Sequence, residues 1–244
     1  MFVYIWHTLF FDPVYNCLIF FIDAVPGGDV GVAIIFTTIT VKLILLPLSI
    51  KAAKTQTVMR EIEPKLKKLK EDVVDKQEQA KAMMGLYKEA GINPFASVVL
   101  MFLQIPIIIS LYIAVSRGGG IPLPDINVAL LYSFIPNPEV ITTVFLGMFD
   151  ILDKSLILAL LAGGAQFIHA QLSIPKSAPR DPDAPPSMKD DFARNMQLQM
   201  KYVLPVVITV FAYTISASIA LYFFVSNVMA IAQEYIVKRH RVQE

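Results

Sequence analysis

The residue best placed to do chemistry is Lys42, set in the otherwise apolar run "FTTITVKLILLPLSIK" from Phe36 to Lys51. It lies eleven residues past Gly31, so at about 1.5 Å per residue it reaches about 16 Å into a hydrocarbon layer of about 30 Å. A lysine at that depth costs roughly 2.5–3.5 kcal/mol on insertion scales, so it is expected to face water, a polar partner or both. Gly31, Thr38, Lys42 and Ser49 are separated by 7, 4 and 7 positions, which places them on one helical face. An acid at matching depth would turn the lysine into one half of an ion pair. Glu234 is assigned to the cytoplasmic end of the last span, and Asp150 and Asp153 to an outer edge. The pattern therefore predicts a solvated cavity around Lys42 that can hold water or attract an acidic group.

Other polar side chains could line that cavity: Gln104, Gln166, His169, Gln171, Asn227 and Gln233, all assigned to mid-depth or cytoplasmic portions of apolar segments. Singly, each is as readily a hydrogen-bonding contact between helices. Together they predict a wet inner half and a dry outer half. Catalysis finds no constellation. His7, His169 and His240 fall at different depths, there is no HExxH or CxxC spacing, and "SRGGGIP" (Ser116 to Pro122) is a turn, with no strand before it to make a phosphate loop. No catalytic residue, metal or cofactor is expected.

These residues must be carried by membrane-spanning helices. Of 244 residues 55% are hydrophobic and 17% charged, the mean hydropathy is +0.59, and several apolar runs reach the roughly 20 residues a span requires. The expected fold is an all-α polytopic membrane protein with five spans, at about 31–50, 95–115, 152–172, 202–216 and 217–237. The last two are one apolar stretch, divided at Ser216 to Ser218. A single cysteine, Cys17, excludes an internal disulfide framework.

Lysine and arginine set the orientation. Residues 1–30 contain none, Lys51 to Glu89 contain ten, Arg117 to Lys154 only the two end residues, and Lys176 to Lys201 five. By the positive-inside rule the N-terminus is outside, loop 51–94 cytoplasmic, loop 117–151 outside, loop 173–200 cytoplasmic, and the short basic tail 238–244 inside. Residues 1–28 lack a positive n-region and cleavage site, so they are kept in the mature chain. They are read as a helix in the outer interface, with a sixth span broken at Asp12-Pro13 as the alternative.

In the 51–94 loop, Val58, Ile62, Leu66, Leu69 and Val73 form one helical stripe, and Ala80, Met83, Met84 and Tyr87 a second. Two amphipathic helices are expected to pair as a hairpin, with Gly91 and Asn93-Pro94 ending it. The hairpin either simply connects spans or meets a client chain, through Met83, Met84 and Tyr87.

Three blocks in order, "GVAIIFTTITVKLILLPLSIKAAKTQTVMREIEPKLKKLKE", "MMGLYKEAGINPFASVVLMFLQIPIIISLY" and "LYFFVSNVMAIAQEYIVKR", resemble the YidC, Oxa and Alb type membrane protein insertases, a small form without a large extracytoplasmic domain. Two departures concern the core: Lys42 stands where the family usually has arginine, and the usual Pro or Gly between the last two spans is absent at Ser216 to Ser218. The resemblance implies a cell-membrane protein that moves hydrophobic segments of clients into lipid through a hydrophilic groove. That groove is open to cytoplasm and lipid and closed outside. It also implies roles: Lys42, Thr38, Ser49, Gln104, Gln166, His169 and Asn227 lining the groove, and Phe223 with Tyr222 meeting the client. The implied partners are newly made membrane proteins and the lipid bilayer, with the Sec translocase and ribosome as further ones and no specific nucleic acid. The tail after Val237 is too short to resemble the long basic tails with which some members hold ribosomes. Two other classes compete. A small-solute channel or proton-coupled transporter would use the midplane lysine but is expected to show repeated halves or matching broken helices. A structural subunit would have its polar face covered by a partner.

Overall fold

The computed structural model describes residues 1–73, 75–93, 95–174 and 194–241. The described residues are mostly helical: α1 (Phe2–Trp6), a π-helical turn (His7–Phe11), α2 (Asp12–Ala24), α3 (Val30–Glu61), α4 (Glu63–Asp72), α5 (Lys76–Glu89) and α6 (Ala96–Arg117). A two-stranded hairpin of β1 (Val144–Phe145) and β2 (Phe149–Asp150) precedes α7 (Leu156–Ser173). Then come α8 (residues 194–198), a π turn (Gln199–Val203), α9 (Leu204–Ile215) and α10 (Ala217–Arg241). Among the described residues six helical segments are long and apolar enough to cross a membrane: Val3–Ala24, Val30–Met59, Val98–Gly120, Leu156–Ser173, Arg194–Ile215 and Ala217–Ile236. The protein is an all-α, multi-pass membrane protein, as its composition requires. Most of loop 173–200, the end of the tail and Pro94 lie outside the described residues.

The chain divides into two compact units, residues 1–42 with 107–244, and residues 43–106. In the larger unit α10 packs along α7, and α7 along α9. The α7–α9 crossing is close because Gly163 carries no side chain: a Cβ there would collide with the Thr209 hydroxyl. The core gathers Phe11, Val14, Leu18 and Ile22 from the N-terminal helices, Val30 and Ile34 from α3, Leu111 and Val115 from α6, and Ile219 and Leu221 from α10. Pro13 has no N–H to donate and sits at the start of α2, and the chain widens there into the π turn His7–Phe11. That turn brings His7 Nδ1 to 2.9 Å from Asp12 Oδ1.

The N-terminal helices are held along their length by the segment between α6 and α7. Asn16 Nδ2 donates to the Asp12 and Leu130 carbonyls and Asn16 Oδ1 accepts from Tyr132 N–H; Tyr15 Oη accepts from Asn127 N–H. Past Ala24, Val30 N–H donates to the Thr142 carbonyl and Thr142 N–H to the Gly28 carbonyl.

The division of the final apolar stretch falls where it was expected, at Ser216, which is fully extended between α9 and α10. No proline or glycine is needed. Ser216 and Ser218 hydroxyls bond each other at 2.7 Å, and the N–H groups of Ala217 and Ser218 donate to the carbonyls of Asp153 and Ile151. Other boundaries shift. Helix α3 continues to Glu61 rather than ending at Ile50. The helical stretch before Ser216 is already formed at Arg194, ahead of the expected 202. Helix α7 starts at Leu156, not Leu152, because Ser155 caps it through Leu158 N–H while residues 151–153 serve the hairpin and the Ser216 break.

In the smaller unit α4 and α5 pack together as the expected helical hairpin, with Ile62 and Leu66 of the predicted stripe buried. Asp75 caps α5, its carboxylate accepting from Gln77 and Glu78 N–H. Gly91, at φ +66°, ends it in a Schellman motif: Ile92 N–H reaches the Tyr87 carbonyl and Gly91 N–H the Lys88 carbonyl.

Candidate functional site

Lys42 sits twelve residues into α3 from Val30, well inside a 30-residue apolar stretch, and is half-buried. In the same unit, His169 of α7 lies within the electrostatic reach of both Lys42 and Glu234 of α10. Glu234 Oε1 accepts a hydrogen bond from Ser173 Oγ at 3.1 Å. His169 of α7 thus feels a cation of α3 and a carboxylate of α10. Glu234 lies close to the C-terminal end of the apolar segment Ala217–Ile236, where its bond to Ser173 ties the end of α7 to α10. Glu234 and Ser173 are the two residues the sequence argument left out of the site. Their signal was present, since an acid inside an apolar helix is costly wherever it lies.

The remaining candidates divide. Thr38 is buried, and its hydroxyl donates to the Ile34 carbonyl at 2.7 Å. Gln166 and His169 are half-buried on α7, three positions apart and so on neighbouring parts of one face. Asn227 is 6% exposed, and its Nδ2 has no hydrogen-bond partner among the described residues. Phe223 is half-buried, meeting Phe211 edge-on at 6.3 Å and Tyr222 at 5.7 Å. Tyr222 itself is inside the core, 2% exposed and hydrogen-bonded to Ser226. The expectation that Tyr222 presents its side chain beside Phe223 needs correction, because Tyr222 is buried in the core and only Phe223 is part-exposed.

Ser49 and Gln104 belong to the smaller unit, where both are half-buried; Ser49 Oγ donates to the Leu46 carbonyl. Met83, Met84 and Tyr87 lie on α5; Met84 is 47% exposed, the other two half-buried.

Burial within the larger unit follows depth. On α10, residues 216–222 and 225–227 are buried, whereas 228–236 are half-buried or exposed. On α3, Val30, Ala33, Ile34, Thr37 and Thr38 are buried, whereas residues 39–42 are not. On α6, Ser110, Leu111, Ala114 and Val115 are buried close to its Arg117 end. Along α3 and α10, burial is thus greatest at the ends nearest residues 118–155 and falls off toward Lys42 and Glu234.

Residues 21–244 match the family described as 60Kd inner membrane protein. The chain belongs to that family. Among its relatives, "Membrane protein insertase YidC 2" of Bacillus anthracis is 29% identical over 241 residues, covering 96% of this chain and 81% of that one. "Membrane protein insertase MisCA" of Bacillus subtilis is 28% identical over 228 residues, covering 91% and 75%. A "Membrane protein insertase YidC" of Francisella tularensis is 31% identical over 214 residues, which span 87% of this chain but 33% of that longer protein. A solved structure described as "Active YidC insertase crystal structure with the first transmembrane domain resolved" superposes with a TM-score of 0.50 at 19% identity, over 91% of this chain and 45% of that one. That likeness is one of fold. As a member of the 60Kd inner membrane protein family, the chain combines the family's helical fold with its own Lys42, His169 and Glu234.

Proposed function

We propose that this chain is a membrane protein insertase. It receives a polar tail or short loop of a client in a hydrophilic groove around Lys42, open to the cytoplasm and to lipid, while the client's apolar segment slides past Phe223 into the bilayer. The observation that carries the reading is the burial gradient along α3 and α10, which are buried at the ends nearest residues 118–155 and less buried where they carry Lys42 and Glu234. A groove of that kind shortens the hydrophobic barrier a client's polar segment must cross. Lys42 attracts client acids and keeps water at depth. Family membership and the insertase relatives support the same reading. The exposed face of the α4–α5 hairpin, with Met84, receives or covers clients. The N-terminus lies outside and the C-terminus in the cytoplasm, in keeping with the ten cationic residues of Lys51 to Glu89. Helices α1 and α2 lie along the outer surface: both their middle, at Tyr15 and Asn16, and their end, before Thr142, are bonded to the segment joining α6 to α7.

Complementation in insertase-depleted cells tests this. The wild-type chain and Lys42→Arg should restore growth and client insertion; full insertion by Lys42→Ala would remove the charge from the mechanism.

A further inference from the structure

The β1–β2 hairpin carries a feature that its own folding does not require. Val144 pairs with Asp150 and Phe145 with Phe149, leaving Leu146, Gly147 and Met148 as the turn. Turns of this kind ordinarily take Gly, Asn or Asp, whose side chains tolerate positive φ and bond to nearby backbone. Here Leu146 holds φ +50°, the one non-glycine residue with positive φ among those described, and is followed by Gly147 at +70°. The turn is closed by Met148 N–H donating to the Phe145 carbonyl at 2.9 Å. A leucine in the left-handed region works against the turn's stability. Nor does it contribute to the core, for Leu146 is 64% and Met148 71% exposed.

The hairpin is nevertheless fixed in place. Phe145 is buried over Gly31 at the start of α3, Leu146 N–H donates to Asp29 Oδ2 at 2.8 Å, and Asp29 Oδ1 accepts from Val32 N–H. Ile151 N–H donates to the Thr143 carbonyl, and the Ile151 carbonyl accepts from Ser218 N–H. These bonds hold the hairpin level with the ends of three apolar helices, at Val30, at Leu156 and at the Ser216 break. At that level the lipid-facing surface of α7 begins, with Leu152, Leu156 and Ile157 exposed at 37%, 56% and 58%. The turn itself carries no charge, and the charged residues nearest to it in sequence are Asp150 on its far strand and Asp153 and Lys154 just before α7.

We propose that the Leu146-Gly147-Met148 tip inserts into the acyl chains of the adjoining leaflet and anchors the α6–α7 segment to lipid. The occupant is bilayer hydrocarbon, continuous with that around the exposed apolar face of α7, a helix long and apolar enough to span. Two exposed apolar side chains on a rigid, uncharged turn beside a span are suited to that environment and to no polar ligand. The proposal requires only a multi-pass protein and stands apart from the insertase reading.

The test uses the full chain in phosphatidylcholine–phosphatidylglycerol vesicles, with Cys17→Ser and a single environment-sensitive fluorophore on Met148→Cys or, as an aqueous reference, Asp125→Cys. The Met148 site should show blue-shifted emission, quenching by shallow spin-labelled lipid and shielding from iodide, with Asp125 the reverse. As a measurement without substitution, the unlabelled wild-type chain should give adducts on the 144–149 peptide with lipid bearing a photoreactive acyl chain. Iodide quenching at Met148 equal to that at Asp125, together with no lipid adducts, would overturn the proposal. So would a blue shift that vanishes as the protein is diluted in lipid, since that would place a second copy of the chain on the tip.

Discussion

At the scale of single residues, the proposed mechanism turns on the charge of Lys42. Lys42 lies within electrostatic reach of His169, and an acidic client residue brought to mid-membrane unaided costs roughly 2.5–3.5 kcal/mol on insertion scales. Since 1.4 kcal/mol is a factor of ten, Lys42→Ala should slow insertion of a client with an acidic tail by at most about 60- to 300-fold. The same client with its acids replaced by serine should be nearly unaffected. Pulse-labelling with protease protection separates these outcomes, and equal losses for both clients would show that Lys42 acts through packing. Asn16 gives a stability prediction. It is 2% exposed and bonded to Asp12, Leu130 and Tyr132, so Asn16→Ala leaves buried backbone groups without partners, at about 1–3 kcal/mol. Thermal unfolding in detergent should register a lowered midpoint. The Tyr132 phenol, beside this contact, is held above its ordinary range by partial burial and then by the Asp12 charge.

At the scale of elements, α5 offers a pH-dependent test. The Asp75 carboxyl sits below its ordinary range because its charged form accepts from the Glu78 and Gln77 N–H groups. A depressed carboxyl stabilises the folded cap fully above its unfolded value, near pH 4, and that contribution is lost as pH falls through the lower folded value. Hydrogen exchange at the Gln77 and Glu78 amides should therefore remain slow relative to intrinsic rates at neutral pH and lose protection on acidification; Asp75→Ala should abolish the pH step. Much of this level was legible beforehand. The Ile62 and Leu66 stripe and the Gly91 stop follow from helical period and turn chemistry, and the Ser216 break from an apolar stretch too long for one span. The β1–β2 hairpin was not legible, because its turn residues, Leu146 and Met148, carry none of the usual turn chemistry. Nor was the Glu234 contact. Sequence assigns depth by counting along one helix, whereas the Ser173 to Glu234 bond depends on how α10 slides against α7.

At the scale of the whole molecule, charge distribution and hydrogen bonding favour the same topology. If α1 and α2 lie on the outer surface, cysteines at Thr8 and Asp23 in a Cys17→Ser background should both react with an impermeant maleimide added to intact cells. Reaction at Thr8 only after permeabilisation would instead make Val3–Ala24 a sixth span. The central claim, that the chain inserts membrane proteins by way of a charged groove, is tested most directly by reconstitution. The purified chain is placed in liposomes, a short-tailed client with an acid in its translocated segment is synthesised in their presence, and the protease-protected fraction is measured. The account predicts protection well above empty liposomes with the wild type and with Lys42→Arg, falling toward the empty-liposome level with Lys42→Ala. Protection no greater with the wild-type chain than with empty liposomes would contradict it.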